Sequence, residues 1–175
     1  MRADFIPRKD MEKIISCMHS SNALAMRVCL ATGIRISDCL NMTRDQVTNG
    51  RPTIRETKTG KSRRIYIQPK LREEILAMNA DSKYAFPSRL DKGRPRTRQA
   101  VYKDLKNQTN KFSLKENVSV HSTRKIFAVE KLKRTGSLDA TQKILNHKYQ
   151  STTIMYALSD VLGKPNKTKK QQGRY

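Results

Sequence analysis

Six polar residues spread over most of this 175-residue chain carry the side chains needed to attack a phosphodiester without a metal ion. They supply two guanidiniums, an amine, two imidazoles and a phenol, on Arg35, Lys58, His121, Arg124, His147 and Tyr156. A planar guanidinium matches two phosphate oxygens at once, so the arginines are suited to hold the reacting phosphate. The phenol is a candidate nucleophile, and the lysine and histidines are candidate proton donors and acceptors.

The first arginine lies at the predicted start of a short helix. Arg35 follows a helix break at Gly33, so its side chain is expected to be exposed but rigidly mounted. Asp38, three residues further on, shares the same helical face and can orient the guanidinium. A surface salt bridge at a helix start would explain this pair equally well, so the motif alone does not identify a site.

His121 and Arg124 form a more informative pair. Their spacing of three places both side chains on one face of a predicted helix, near its N-terminus. Backbone amides and the helix dipole favour an anion there. The imidazole and the guanidinium can therefore share one phosphate, whereas a helix-capping histidine would explain His121 but not its partner.

The remaining three residues are less informative individually. Lys58 lies at the mouth of a predicted hairpin turn, from which it can reach a bound strand or protonate a leaving oxygen, although a solvated basic turn also explains it. A phosphate-binding loop around Gly60 is excluded, because the first glycine of that motif would fall at Arg55. His147 is also explained as a cap at a helix end, and Tyr156 as an amphipathic tyrosine.

The charge balance indicates a polyanionic partner. The chain has 37 Lys and Arg against 15 Asp and Glu, a net charge of +22, and nucleic acid would relieve the resulting self-repulsion. The cations are spread along the chain and not gathered on one amphipathic helix, which argues against a membrane surface. The predicted DNA contacts lie in the hairpin and in a basic loop at residues 87–98. They are Lys61, Arg63, Arg64, Lys92, Arg94, Arg96 and Arg98.

The sequence offers no sign of secretion, membrane insertion or metal binding. Its first ten residues carry charges where a signal peptide needs an apolar run, and no stretch reaches the ~20 apolar residues of a membrane span. Cys17, Cys29 and Cys39 lack CxxC spacing, so reduced thiols within helix cores and a cytoplasmic location are expected. His121 and His147 lack a third metal ligand at a recognisable spacing.

Apolar periodicity predicts helices along most of the chain, interrupted by one hairpin. Ser20, Ser21 and Asn22 are predicted to separate the first two helices and to cap the second. The hairpin pairs Thr53–Ile54 with Ile65–Ile67 around a glycine-containing turn. Further helices are predicted at residues 36–42, 71–78, 97–111, 122–135 and 137–146, and from residue 151 through Tyr156.

Taken together, these segments resemble the catalytic domain of the tyrosine recombinase, or phage integrase, family. The segments ATGIRISDCLNM, TKTGKSRRIYI, HSTRKIFA and ILNHKYQSTTIMYALSD follow the family's order from about residue 5 to residue 160. The resemblance implies that the six residues are catalytic. Within that set, Tyr156 is the nucleophile, and Asp38 supports Arg35.

The same resemblance implies a fold, a reaction and an assembly. The fold is expected to be mainly α with a small antiparallel β-sheet (α+β), with a catalytic domain at residues 1–162. Independently of the resemblance, the basic composition of residues 163–175 predicts a flexible tail. The implied reaction is site-specific cleavage and rejoining of double-stranded DNA through a 3′-phosphotyrosyl intermediate, with no cofactor or metal. A tetramer on DNA is implied, and the upstream DNA-gripping domain that most members carry is expected to be absent.

Three other interpretations stay open at this point. A nicking-closing enzyme like a type IB topoisomerase would use the same chemistry without choosing a site. A DNA-binding regulator would keep the fold and do no chemistry. An RNA-binding or ribosome-associated basic protein would account for the charge but not for the ordered residues.

Overall fold

The computed structural model describes residues 3–78 and 81–145. Within these ranges the chain forms eight helices and one two-stranded antiparallel sheet, which confirms the expected fold class. The helices are α1 (Arg8–Ser16), α2 (Ser20–Thr32), α3 (Ile36–Leu40), α4 (Arg44–Thr48), α5 (Pro69–Met78), α6 (Arg98–Lys111), α7 (Ser122–Thr135) and α8 (Leu138–Leu145). The strands are β1 (Thr53–Arg55) and β2 (Ser62–Arg64).

Helix α2 lies at the centre of the fold, packed against α1, α3, α5, α6 and α7. Its sequence is apolar around most of its circumference, as a helix covered on several sides requires. The side chains that it buries include Ala25, Met26, Val28, Cys29 and Leu30. The surrounding helices each contribute an apolar face to one continuous core.

The start of α2 differs from the expected one. Ser20 is already the first residue of the helix, His19 is the N-cap, and no side chain of the cap residue accepts a hydrogen bond there. Asp104 of α6 instead accepts hydrogen bonds from the His19 backbone at 2.9 Å and from the Asn22 side chain at 2.7 Å. A carboxylate from another helix thus supplies the negative charge that favours a helix N-terminus, so no local serine cap is needed.

Helix α4 is an element that the periodicity did not predict. Thr43 and Gln46 form a capping box, in which each side chain accepts a hydrogen bond from the other residue's backbone. The spacing Thr-x-x-Gln is a recognised helix-start signal. It was therefore present in the sequence, but the helix of five residues is too short to show apolar periodicity.

The hairpin forms where it was predicted, with a shorter second strand. Thr53 pairs with Arg64 and Arg55 with Ser62. The segment Ile65–Ile67 lies outside β2, although the Ile65 amide still bonds to the carbonyl of Pro52 at 3.0 Å. Proline has no N–H to return, so the reciprocal ladder ends there.

The later helices confirm the predicted positions. Thr97 caps α6 by accepting a hydrogen bond from the amide of Ala100. Helix α7 has the predicted bounds and ends at Gly136 in the left-handed conformation. Ser137 precedes α8 and accepts from the amide of Ala140 at 3.2 Å. The predicted helix bearing Tyr156 and the basic tail lie outside the described residues.

The three cysteines are free thiols, as expected. Cys29 and Cys39 are buried in the core, whereas Cys17 is exposed and is not the core residue that was predicted. In the part of the chain that the structure describes, no helix combines the length and apolarity needed to cross a membrane.

Replacing Gly33 with alanine is expected to destabilise the protein more than the same change at Gly136. Both glycines have a φ of 64°, which costs a residue with a Cβ about 1–2 kcal/mol. A methyl group at Gly33 would also lie 2.3 Å from the Phe127 ring, whereas nothing lies within 4 Å of one at Gly136. Urea denaturation should therefore show a loss of about 3 kcal/mol or more for Gly33→Ala, because overpacking adds to the strain. Equal losses at both positions would contradict the close packing on Phe127.

Candidate active site

Two of the predicted catalytic residues, Arg35 and Arg124, meet where helix α2 ends. Gly33 terminates α2 in the left-handed conformation, and Arg35 follows as the N-cap of α3. The absence of a Cβ at Gly33 lets the Phe127 ring of α7 pack directly on the turn. The carbonyl of Gly33 accepts a hydrogen bond from Nη1 of Arg124 at 2.7 Å. One backbone turn therefore positions both guanidiniums.

Arg124 is buried and held by backbone carbonyls. Its side chain is 6% exposed, and besides the bond to Gly33 its Nη2 donates to the carbonyl of Leu145 at the end of α8. The carbonyl of Gly33 lies at the C-terminus of α2, where carbonyls carry partial negative charge and lack intrahelical donors, so a guanidinium satisfies it well. These two contacts orient the Arg124 guanidinium.

The acid between the two arginines is Glu56, which is not among the predicted site residues. Its side chain is fully buried, and Oε2 lies 2.5 Å from Nη1 of Arg35, while Oε1 lies 3.9 Å from Nη1 of Arg124. The Thr59 hydroxyl also donates to Oε2, at 2.8 Å. The side chain of Arg35 is only 15% exposed, less than expected, because it turns inward to this carboxylate.

Glu56 is ionised despite its burial. Burial by itself would raise the pKa of this carboxyl, but the contacts with Arg35 and Thr59 and the charge of Arg124 outweigh it and lower the pKa below 4.5. Because the folded pKa is below the unfolded one, the carboxylate stabilises the fold above about pH 4.5, and this contribution is lost as the pH falls through the folded value.

Asp38 supports the hairpin and does not act through Arg35 as predicted. Its Oδ1 accepts hydrogen bonds from the backbone of Thr57 at 3.0 Å and from the Thr57 hydroxyl at 2.8 Å. Thr57 directly precedes Lys58, whose side chain is exposed at the turn. Asp38 thus anchors the base of the turn that presents Lys58, and the orientation of Arg35 is left to Glu56.

His121 is the N-cap of α7, and its ring reaches solvent beside the arginines. Partial burial lowers the pKa of the imidazole below the ordinary 6.5, and four neighbouring cations lower it further. These cations are Arg98, Arg124, Arg35 and Lys58. The ring is therefore neutral near pH 7, the form that can accept a proton.

The structure brings four of the six predicted residues to one place, namely Arg35, Lys58, His121 and Arg124. His147 and Tyr156 lie outside the described residues. The described residues stop at Leu145 in α8, and the carbonyl of Leu145 is bonded to Arg124 of this cluster. Among the residues described, no group of three His, Cys, Asp or Glu side chains is placed to hold a metal ion.

Arg63 was predicted to contact DNA, but the structure gives it an internal role. Its Nη1 donates to the carbonyl of Ile144 at 2.5 Å, and its Nη2 donates to the carbonyl of Thr32. Burial lowers the pKa of Arg63, and the negative charge of Glu56 opposes that shift. The guanidinium ties the hairpin to the ends of α2 and α8, and it is occupied by protein atoms.

Some of the other predicted DNA contacts bond to protein side chains, and the rest are exposed. Nη1 of Arg96 donates to Asn22 at 3.2 Å against helix α2. Lys92 and Arg94 pair with Asp81 and Asp91 on the surface, where such pairs contribute little energy and exchange readily. The remaining cations of this set are exposed, and they are Lys61, Arg64 and Arg98.

A signal for Glu56 was present in the sequence. Side chains alternate between the two faces of a strand, and Ile54 is the apolar, inward-facing residue of β1. Extending that alternation by two residues points Glu56 inward as well. An acid on the inner face of a basic hairpin needs a buried cation, but the sequence does not say which one.

Comparison with known proteins gives one family. Residues 4–161 match the model of the phage integrase family. The chain is 26% identical to the integrase of Escherichia phage P2 over 155 residues, which cover 87% of this chain and 42% of that protein. It is 33% identical to a probable integrase/recombinase, YoeC, of Bacillus subtilis (strain 168) over 129 residues, which cover 71% of this chain and 70% of that protein. The chain thus spans less than half the length of the phage P2 protein.

Solved structures show the same fold. A lambda integrase dimer bound to a COC′ core site superposes with a TM-score of 0.74 at 18% identity, covering 90% of this chain and 48% of that chain. The catalytic domain of bacteriophage HP1 integrase superposes with a TM-score of 0.64 at 23% identity, covering 90% of this chain and 89% of that chain. The match thus includes most of the HP1 domain but only about half of the lambda integrase chain.

Replacing Arg63 with alanine is expected to destabilise helix α8. The change removes two hydrogen bonds from a charged donor, each contributing about 1.5–3 kcal/mol, so a loss of about 3 kcal/mol is expected. Arg64→Ala is the matched control, because this neighbour is exposed and should change stability by about 0.5 kcal/mol or less. Urea denaturation and amide hydrogen exchange across α8 measure both effects. Unchanged exchange in α8 after Arg63→Ala would contradict the internal role.

Removing the charge of Arg98 is expected to raise the pKa of His121. A neighbouring cation disfavours the protonated imidazole, so its removal favours that form. The ring can be followed by NMR titration and assigned with His121→Gln. Arg94→Ala serves as the control, because Arg94 is not one of the four cations named above and its guanidinium pairs with Asp91. Equal shifts in the two variants would mean that overall charge, and not a local contact, sets this pKa.

Proposed function

Because this chain belongs to the phage integrase family, we propose that it is a site-specific DNA recombinase that cleaves and rejoins strands through a 3′-phosphotyrosyl intermediate. The observation that carries the proposal is the cluster of Arg35, Arg124, His121 and Lys58 in one place. Two guanidiniums, a neutral imidazole and an exposed amine are the groups that phosphoryl transfer to an oxygen nucleophile needs.

In the proposed reaction the Tyr156 phenol attacks the scissile phosphorus. A bond forms between the phenolic oxygen and phosphorus, and the bond from phosphorus to the 5′ oxygen of the next nucleotide breaks. The extra negative charge of the transition state falls on the non-bridging oxygens, where Arg35 and Arg124 are assigned to stabilise it. The energy of the broken phosphodiester is kept in the phosphotyrosine, so rejoining needs no ATP.

Two protons must move during cleavage. A tyrosine with a pKa of about 10 is mostly protonated at neutral pH, so the phenol has to lose its proton as it attacks. His121 is the proposed acceptor, because its lowered pKa leaves the imidazole neutral. Lys58 is assigned to protonate the leaving 5′ oxygen from its exposed position on the hairpin turn. His147 is proposed to donate a hydrogen bond to a non-bridging oxygen.

The proposal extends to the bound DNA and to the assembly. The proposed catalytic domain is residues 1–162, with a basic tail at residues 163–175 that adds positive charge beside DNA. The exposed cations proposed to contact phosphates are Lys61, Arg64, Lys92, Arg94 and Arg98. A tetramer on double-stranded DNA is proposed, by analogy with a lambda integrase tetramer bound to a Holliday junction. The protein is proposed to act in the cytoplasm.

Covalent trapping is the experiment that tests this function. The chain is incubated with nicked, end-labelled duplexes and a metal chelator, and the products are separated on a denaturing gel. The unaltered chain should form a denaturant-resistant adduct, and Tyr156→Phe should form none while binding DNA equally well. Arg124→Ala should form the adduct at least about 100-fold more slowly, since it removes donors that stabilise the transition state.

Two of the alternatives give results that differ from those of a recombinase. Relaxation of supercoiled DNA without exchange between two sites would favour a nicking-closing enzyme. DNA binding without any adduct would favour a regulator that does no chemistry. An adduct that survives Tyr156→Phe would place the nucleophile elsewhere.

A further inference from the structure

Glu56 lies between the two arginines of the candidate site, Arg35 and Arg124. Its carboxylate is fully buried, 2.5 Å from Arg35 and 3.9 Å from Arg124. Its field also reaches Arg63, where it opposes the effect of burial on the pKa. A carboxylate and a phosphate offer guanidiniums the same arrangement of oxygens. Glu56 therefore occupies, inside the protein, the kind of position that an anion takes between two arginines.

The need for such a charge follows from electrostatics. Arg35 and Arg124 have side chains only 15% and 6% exposed, so water screens their mutual repulsion poorly. Without an acid between them, the two guanidiniums would repel each other whenever no phosphate is bound. The more exposed of the two would move towards solvent, and that one is Arg35.

The two arginines depend on Glu56 to different degrees. Arg124 is held by the carbonyls of Gly33 and Leu145, so its position has support that does not involve the carboxylate. Arg35 has the shorter contact with Glu56, and this contact turns its side chain inward. Loss of the carboxylate should therefore displace Arg35 and leave Arg124 nearly in place.

We propose that Glu56 is a positioning residue. Before DNA binds, its buried carboxylate holds the guanidinium of Arg35 beside Arg124, so that both guanidiniums are already placed to bind one phosphate. The inference rests on the proposed function, since it assumes that these two arginines receive the scissile phosphate. The hairpin that carries Lys58 also carries Glu56, so one turn presents the proton donor and aligns an arginine. Asp38 does not share this role, because it is bonded to Thr57.

The first test compares three variants in the covalent trapping assay at saturating DNA. Glu56→Gln keeps the shape and removes the charge, and it should slow adduct formation about 100-fold, as expected when a catalytic group is misplaced by about 1 Å. DNA affinity should be unchanged, because the variant loses no cation. Glu56→Asp keeps the charge on a shorter side chain and should restore part of the rate. Glu74→Gln is the control, since Glu74 pairs with Arg27 away from the site.

Comparing the rates of adduct formation of Glu56→Gln and Glu56→Asp shows whether the charge or the packing of Glu56 matters. A residue needed only for packing would tolerate glutamine better than the shorter aspartate. A rate for Glu56→Gln equal to that of the unaltered chain, or higher than that of Glu56→Asp, would overturn the proposal. Thermal denaturation of each variant gives the folded fraction to which the rate is normalised.

A second measurement needs neither DNA nor activity. Side-chain NMR signals of the arginines are recorded on the free protein and assigned with Arg35→Lys and Arg124→Lys. Glu56→Gln should shift or broaden the Arg35 guanidinium signal and leave that of Arg124 nearly unchanged. Equal changes in both signals, or none in Arg35, would overturn the proposal. If the unaltered chain forms no adduct, the recombinase function fails, and this measurement still decides what positions Arg35.

Discussion

The arrangement of the candidate site depends on one buried ionic contact, that of Glu56 with Arg35 and Arg124. Charges removed from water are tolerated only when they are compensated, so the hairpin that bears Glu56 has to dock where the two guanidiniums lie. This requirement joins three separate parts of the chain: the hairpin, the start of α3 and the first turn of α7. Because Lys58 lies two residues beyond Glu56, the docking of the hairpin also places the Lys58 amine near the arginines.

Backbone carbonyls also hold arginines in place around the site. Helix α2 ends at Gly33, and the carbonyls of Thr32 and Gly33 there accept hydrogen bonds from Arg63 and Arg124. The same two arginines bond to Ile144 and Leu145 at the end of α8. Two guanidiniums thus join the C-terminus of α2, which carries partial negative charge, to the last described residues of α8. The central helix therefore has two functions, since it fills the core and it provides the anchor for the arginines.

Charge is distributed differently inside and outside the site. The chain as a whole carries +22, which suits it to a polyanion. Around Arg35 and Arg124 a local acid offsets part of that charge and keeps the guanidiniums ordered, while the cations next to His121 keep its imidazole neutral. A family that acts on DNA needs both properties, because broad positive charge brings DNA to the surface and local order decides where the phosphate binds.

The sequence by itself determined the local structure and the family. Gly33, Thr97 and Gly136 mark helix ends through their own conformational preferences, and the segments around Arg35 and Arg124 kept the order from which the family was inferred. It also indicated that a basic surface would meet nucleic acid. All of these inferences use residues that are close together in the chain or the composition as a whole.

Only the tertiary structure decided which side chains are partners. Arg124 bonds to a carbonyl 91 residues away, and Arg63 to one 81 residues away, and no local pattern specifies such pairs. The local pattern therefore predicted a DNA contact for Arg63 and a role beside Arg35 for Asp38, and it did not predict the role of Glu56. The physical reason is that burial determines whether a charged side chain faces solvent or must find an internal partner, and burial depends on how distant elements pack.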